Sequence, residues 1–92
     1  MKDNLVVNNK SGSRFECLKN GHLAVIEYEV KGDKILLLST QVPSEISGQG
    51  VGSELIKQSF ELIENMDLKV VPVCSFIQNW LRKNPDKKHL IT

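Results

Sequence analysis

The sequence contains few of the residues that mark specialised classes of protein. Only two cysteines, Cys17 and Cys74, occur among its 92 residues. Two cysteines are too few for a disulfide scaffold, so we interpret them as free thiols in a reducing cytoplasm, with one bridge between them as the alternative. Apolar runs such as Ile35 to Leu38 are much too short to span a membrane, and no apolar signal segment follows Met1.

An excess of charge of one sign is also missing. Lysine and arginine together number 12 and aspartate and glutamate 11, which gives a formal net charge of +1. Because phosphate binding usually leaves a clear basic excess, we expect neither nucleic acid nor a membrane as a partner. The two histidines, His22 and His89, are isolated, and the cysteines are far apart in the sequence. Since zinc sites need closely spaced ligands, no metal site is predicted.

The length and composition predict one domain over residues 1–92. The first half shows the alternation that is typical of strands, with two-residue hairpin turns expected at Asn20-Gly21 and Gly32-Asp33. Four strands are predicted there: Leu5 to Val7 at an edge, followed by a polar loop from Asn8 to Gly12; a strand around Phe15 and Cys17; His22 to Val30; and Ile35 to Val42. The last of these is so apolar that we expect burial of both its faces.

The second half changes to helical periodicity. Apolar side chains recur at helical spacing between Ser53 and Met66, which predicts an amphipathic helix. A short strand from Leu68 to Val73 follows, and then a second helix from about Ser75 to Asn84 that ends at Pro85. The first helix can cross over between the strands on either side of it, which makes those strands parallel in an otherwise antiparallel sheet. The second helix is expected to bury Phe76, Ile77, Trp80 and Leu81.

A glycine-rich segment, Ser47-Gly48-Gln49-Gly50-Val51-Gly52-Ser53, precedes the first helix. Glycine allows tight turns and the close approach of a ligand, and the free N–H groups of a first helical turn attract anions. The segment therefore predicts a pyrophosphate site built without a cationic side chain, or else a merely flexible loop. It is neither a P-loop nor a complete dinucleotide fingerprint, because no Gly-Lys-Ser/Thr follows and the third glycine comes too early.

Cys74 falls where the last predicted strand ends and the last helix begins. A thiol at a helix N-terminus has a lowered pKa, because the helix dipole favours the thiolate. Two interpretations remain open: a nucleophile, or a small residue that fills space at a junction.

Together these motifs resemble the acetyl-CoA loop of the GNAT acetyltransferase superfamily. The loop resembled is Val42 to Gly52, in which the pattern Arg or Gln, two residues, Gly, one residue, Gly or Ala begins at Ser47. The chain from about Arg14 onward resembles the minimal, single-domain branch of that superfamily, supported by Ser39 to Pro43 before the loop and Val71 to Phe76 after it.

The resemblance implies an α+β fold with a mostly antiparallel central sheet, two main helices and a V-shaped splay between the strands that flank the first helix. In such proteins the strand end at Gln41 and Val42 binds the pantetheine arm of acetyl-CoA like an added strand. The pyrophosphate is held by the backbone amides of the loop and first turn: Gly48, Gln49, Gly50, Val51, Gly52 and Ser53.

The implied function is N-acetyl transfer from acetyl-CoA to a primary amine of a peptide, a protein lysine or a small molecule. The resemblance suggests Cys74 as acetyl acceptor and catalytic residue. Direct attack by the amine is the other route, with Glu27 or Glu29 as candidate bases. The segment Lys87 to His89 is expected to be a solvated tail, with contact to the 3′-phosphate of CoA as the alternative.

Three positions depart from the pattern of the superfamily. Ser47 stands where Arg or Gln is frequent, and Ser39 and Gln41 stand where the minimal branch often has His and Glu. A non-catalytic CoA-binding or protein-interaction module with the same fold is therefore the alternative function.

Overall fold

Four strands are followed by a helix, a fifth strand and a second helix, which is the predicted order. A computed structural model describes residues 2–92. The strands are β1 (Val6–Asn9), β2 (Arg14–Lys19), β3 (His22–Lys31), β4 (Lys34–Gln41) and β5 (Lys69–Pro72). The helices are α1 (Val51–Glu64) and α2 (Ser75–Lys83), with short 3-10 turns at Ser44–Ile46 and Pro85–Leu90. No helix among residues 2–92 is long and apolar enough to cross a membrane.

The five strands form one sheet in the order β1-β2-β3-β4-β5. Neighbouring strands are antiparallel as far as β4, and β5 lies parallel to β4 because α1 carries the chain across between them. The hairpin turn between β2 and β3 has positive φ at both Asn20 (50°) and Gly21 (79°), as a two-residue hairpin turn requires. The predicted α+β architecture is confirmed.

β1 extends further than the sequence predicts. Asn8 and Asn9, placed in a loop by their polarity, pair with Phe15 and Arg14 of β2. Their side chains are satisfied within the sheet, because Asn8 Oδ1 accepts a 2.6 Å hydrogen bond from the hydroxyl of Tyr28 and Asn9 Nδ2 donates one of 2.9 Å to Glu16. Polar residues with such partners are tolerated in a strand.

Both helices cover the same face of the sheet, and their buried side chains form a single core cluster with it. Burial in β4 consequently alternates: Ile35 and Leu37 are fully buried, whereas Leu38 is 40% exposed. The prediction that β4 is buried on both faces is therefore wrong. An apolar run occurs in strands that are covered on both faces and also in strands covered on one face. Here the helices cover one face of β4, and no element among residues 2–92 covers the face on which Leu38 lies.

The V-shaped splay forms where β5 stops pairing with β4. The last paired residues are Leu37 and Pro72. The backbone N–H groups of Val73 and Cys74 both donate to the Leu37 carbonyl, at 3.1 and 3.0 Å, as the chain turns into α2. A register shift opposite Glu27 and Tyr28 of β3 bends β4 at the same level. Beyond Leu37, β4 has no strand partner on this side.

The C-terminal segment is only in part the solvated tail that the sequence predicts: Lys88 and His89 are exposed, whereas Lys87 and the residues after His89 pack against the domain. Lys87 Nζ lies 2.8 Å from Glu64 Oε1 at the end of α1. Ile91 forms a bridge with Val70 of β5, and Leu90 is buried in the core. The consecutive charged and polar residues Asp86 to His89 masked this packing, because only Leu90 and Ile91 carry an apolar signal.

Candidate active site

The glycine-rich segment is anchored at its start by the 3-10 turn Ser44–Ile46. Ile46 is fully buried in the core, and Ser47 Oγ donates a 3.0 Å hydrogen bond to the Ser44 carbonyl. The segment that follows is thus held at both ends, by this turn and by α1.

Two glycines in the segment adopt a left-handed backbone conformation. Gly48 has a φ of 78° and Gly50, the N-cap of α1, a φ of 74°. L-residues adopt these values only at a cost, which explains the glycines. A Cβ at either position would have no heavy atom within 4 Å. Open space therefore lies directly in front of the backbone at both positions.

The first turn of α1 leaves donors free at that space. The first intrahelical hydrogen bond is donated by Glu54 N to the Gly50 carbonyl, at 3.1 Å. The N–H groups of Val51, Gly52 and Ser53 consequently lack intrahelical acceptors. No side chain caps the helix, so these N–H groups and the positive end of the helix dipole are available to an anion.

A depression of about 300 Å³ lies over this turn. Its lining includes Val42, the residue that follows β4, Gly48, Gly50 and Gly52 from the segment, and Phe76 from α2. Val51 and Ser53 line it as well, whereas Gln49 does not. The structure thus brings six of the eight predicted cofactor-binding residues to one concave surface.

Gln41, the remaining predicted residue, has its side chain on the other side of the sheet. Its Nε2 donates a 2.9 Å hydrogen bond to Glu27 Oε1 on β3, and Ser39 Oγ donates a second, of 2.8 Å, to the same oxygen. Only the backbone of Gln41 is left to face the splay. The sequence did not reveal this cluster, since the pairing of Glu27 with Ser39 depends on the β3–β4 register.

Cys74 is the N-cap of α2 and lies in the mouth of the splay. It is partly exposed, and its Sγ is 3.5 Å from Thr40 Oγ1. Thr40 belongs to the part of β4 that has no partner in β5. The predicted nucleophile and the free strand edge are therefore adjacent.

The surroundings of Cys74 lower the pKa of its thiol. Burial, the largest single influence, disfavours the thiolate, but several hydrogen-bond donors together outweigh it. These are the Thr40 hydroxyl and the backbone N–H groups of Ile77, Phe76 and Thr40. The thiol makes no strict capping hydrogen bond to α2, yet the N–H groups of its first turn favour the charged form. Burial conversely raises the pKa of the Cys17 thiol, which lies in the core.

Phe76 is not the core residue that its helical spacing predicts. It is 45% exposed, and its ring edge lies over the first turn of α1, where a Cβ at Gly52 would come within 3.0 Å of Phe76 Cζ. Trp80, one turn further along α2, is buried, stacks on Phe60 with ring centroids 5.6 Å apart, and donates a 3.0 Å hydrogen bond to Ser53 Oγ. These contacts hold α2 against the start of α1.

Residues 2–92 contain no cluster of three or more histidines, cysteines, aspartates and glutamates that could hold a metal ion.

Comparisons with known proteins agree with this geometry. The family described as GCN5-related N-acetyl-transferase matches residues 14–90. Protein NATD1 of Gallus gallus is 34% identical over 68 residues, which cover 73% of this chain and 62% of NATD1. Protein NATD1 of Danio rerio is 31% identical over 88 residues, covering 92% of this chain and 80% of that relative. The chain therefore spans about three fifths of the length of the first of these relatives.

The fold has a solved counterpart. The solution structure of a GCN5-like protein from Staphylococcus aureus, determined by NMR, superimposes with a TM-score of 0.73 and is 28% identical in sequence. The superposition covers all of this chain and 91% of the other. The chain belongs to the GCN5-related N-acetyltransferase family. The family and fold implied by the glycine-rich segment are thereby confirmed.

Proposed function

We propose that this protein transfers an acetyl group from acetyl-CoA to a primary amine. The observation that carries the proposal is the set of unpartnered N–H groups at the start of α1, which lie beside a splayed sheet in a member of an acetyltransferase family. Acetyl-CoA supplies the activated thioester, and the protein supplies binding and orientation.

The residues present fit acetyl-CoA as a co-substrate. Backbone N–H groups from Gly48 to Ser53 would bind the pyrophosphate, for which their open, unobstructed face is suited. The backbone of Gln41 and Val42, at the free edge of β4, would hydrogen-bond the pantetheine arm as a strand would. The Ser47 hydroxyl is engaged by the Ser44 carbonyl, so the loop relies on its backbone instead of an arginine or glutamine side chain.

In the covalent route, Cys74 is the nucleophile. Its thiolate, favoured by the Thr40 hydroxyl and the first turn of α2, attacks the acetyl carbonyl, and the CoA thiolate leaves. The amine then attacks the resulting thioester on Cys74 and releases the Cys74 thiolate, and its extra proton passes to a base or to water.

In the direct route, the amine attacks the acetyl carbonyl without this intermediate and needs a base for its proton. Glu27 is the candidate supported by position, because the Ser39 and Gln41 side chains fix its carboxylate on β3, at the level of the splay. Glu29 is instead near Lys31, 3.7 Å away, and close to the other end of β3. Of the two candidates, we therefore propose Glu27 as the base.

The two routes are distinguished by incubation with acetyl-CoA followed by intact-mass measurement. A gain of one acetyl group on the wild type, absent from Cys74→Ala and retained by a Cys17→Ala control, supports the covalent route. Unchanged turnover of an amine by Cys74→Ala would leave direct attack. Glu27→Gln then tests the base. No turnover of lysine peptides, free lysine or polyamines by the wild type would refute the transferase proposal.

A non-catalytic CoA-binding or protein-interaction module is the second candidate. It is favoured by the residues at positions 39 and 41, where the resemblance leads one to expect His and Glu. The chain has Ser39 and Gln41 there instead, and both side chains are engaged by Glu27. Binding of acetyl-CoA without transfer to any amine distinguishes it. For either function we propose a single domain over residues 1–92 that acts in the cytoplasm, where free thiols persist, with no role for nucleic acid or a membrane.

A further inference from the structure

A second depression, of about 550 Å³, adjoins the one over the start of α1. Ser53 and Phe76 line both depressions. The two depressions are therefore neighbours: the first lies over the α1 N-terminus beside the splay, and the second lies along α2. The volume of the second depression falls within the range of pockets for small molecules and cofactors.

One face of α2 provides most of the lining of this second depression. Ser75, Asn79 and Lys83 are four residues apart, so they lie in a row along the helix. Trp80 and Asn84 complete the lining. The lining contains one cationic side chain and no carboxylate, and Lys83 forms no ion pair among residues 2–92. An anionic ligand is therefore favoured over a cationic one.

Two other cations, Arg82 and Lys87, have partners of their own. Arg82 Nη1 donates a 2.9 Å hydrogen bond to Asn79 Oδ1, which leaves Asn79 Nδ2 for a ligand. Lys87 pairs with Glu64 at the last residue of α1, and a helix of 14 residues is about 20 Å long. Lys87 consequently lies too far from the α1 N-terminus to contact a phosphate bound beside it. This excludes Lys87 as the partner of the 3′-phosphate of CoA.

We infer that the second depression binds the adenosine 3′-phosphate end of CoA, with Lys83 pairing with the 3′-phosphate. The inference rests on the proposed function, which places the pyrophosphate at the α1 N-terminus and the pantetheine arm along β4. The nucleotide then leaves the pyrophosphate in the other direction, where the second depression lies. Phe76, an exposed aromatic ring shared by both depressions, offers an apolar surface to the adenine base.

The test compares the affinities of CoA and 3′-dephospho-CoA by isothermal titration calorimetry. The wild type should bind CoA several-fold more tightly, about three- to tenfold for a partly exposed charge pair at low salt. Lys83→Gln should lose this preference while its affinity for 3′-dephospho-CoA stays unchanged. Lys57→Gln removes an exposed lysine on α1 that lines neither depression, and this control should keep the preference.

Failure of the inference and failure of the proposed function give different results. If the wild type binds both nucleotides equally, or if Lys83→Gln keeps the preference of the wild type, the inference is overturned and the proposed function stands. If neither nucleotide binds at millimolar concentration, the proposed function is itself refuted, and the inference with it.

Discussion

Substitution of Gly50 by alanine should lower both the stability of the protein and its affinity for acetyl-CoA, by amounts that follow from the structure of the α1 N-terminus. Gly50 is the N-cap of α1, with a φ of 74°. A Cβ there meets no heavy atom within 4 Å, so its stability cost comes from the backbone conformation alone. An L-residue in this region costs about 1–2 kcal/mol. Restriction of the unfolded chain by alanine offsets about 0.4–1 kcal/mol of that.

The expected net loss in the free energy of unfolding is therefore about 1 kcal/mol, which corresponds to a fall in Tm of about 4–8 °C for a domain of this size. Relaxation of the backbone away from φ 74° would turn the N–H groups of the first turn away from a bound pyrophosphate. Each hydrogen bond to a charged group that is lost weakens binding by about 1.5–3 kcal/mol. Affinity for acetyl-CoA should consequently fall by about ten- to a hundredfold.

Gly21→Ala provides a matched control. Gly21 has a φ of 79° and equally open surroundings, but it lies in the hairpin turn between β2 and β3. Urea denaturation should show similar losses of stability for both variants, and calorimetry should show weakened acetyl-CoA binding for Gly50→Ala alone. Equal affinities of Gly50→Ala and the wild type would refute the role given to the α1 N-terminus, as would an equal loss of affinity in Gly21→Ala.

Three further outcomes test other parts of the structure. The rate at which iodoacetamide labels Cys74 should rise with pH around a midpoint below the pKa of an ordinary thiol. Thr40→Val should raise that midpoint, because it removes a hydroxyl that favours the thiolate. A midpoint at or above the ordinary thiol pKa would contradict the described environment. Phe60 is fully buried and its ring stacks on Trp80. Phe60→Ala should therefore lower the free energy of unfolding by about 3–5 kcal/mol, measured by urea denaturation with tryptophan fluorescence as the signal. A loss below about 1 kcal/mol would contradict the packing. Gln58→Met leaves the Val6 N–H without its 2.9 Å acceptor, so amide exchange at Val6 should accelerate; unchanged protection would show that this bond does not secure β1.

The order of the strands and helices could be predicted because each has a local signal. Asn20 and Gly21 indicate a hairpin turn by their tolerance of positive φ, and the apolar stripe from Ser53 onward indicates a helix that α1 confirms with a start two residues earlier. The glycine-rich segment indicated the family of the chain. A backbone that a ligand must approach closely requires glycine, and glycines are visible in the sequence itself.

Features that depend on tertiary contacts could not be predicted. The burial of β4 on one face, the exposure of Phe76 and the packing of Leu90 are decided by which element lies opposite each side chain. The contact of Glu27 with Ser39 and Gln41 depends on the register of two strands. The apolar or polar character of a residue does not show which element lies opposite it, so the sequence alone cannot decide between burial and exposure at these positions.

Binding of acetyl-CoA at the α1 N-terminus is tested most directly by titrating the ¹⁵N-labelled protein with acetyl-CoA and following its amide resonances. The largest shifts are expected at the amides of Gly48 to Ser53, with further shifts at Gln41 and Val42 along the free edge of β4. The amides of Asn20 and Gly21, in the distant hairpin turn, should not move. Unchanged resonances from Gly48 to Ser53 at millimolar acetyl-CoA would contradict the assignment of this site.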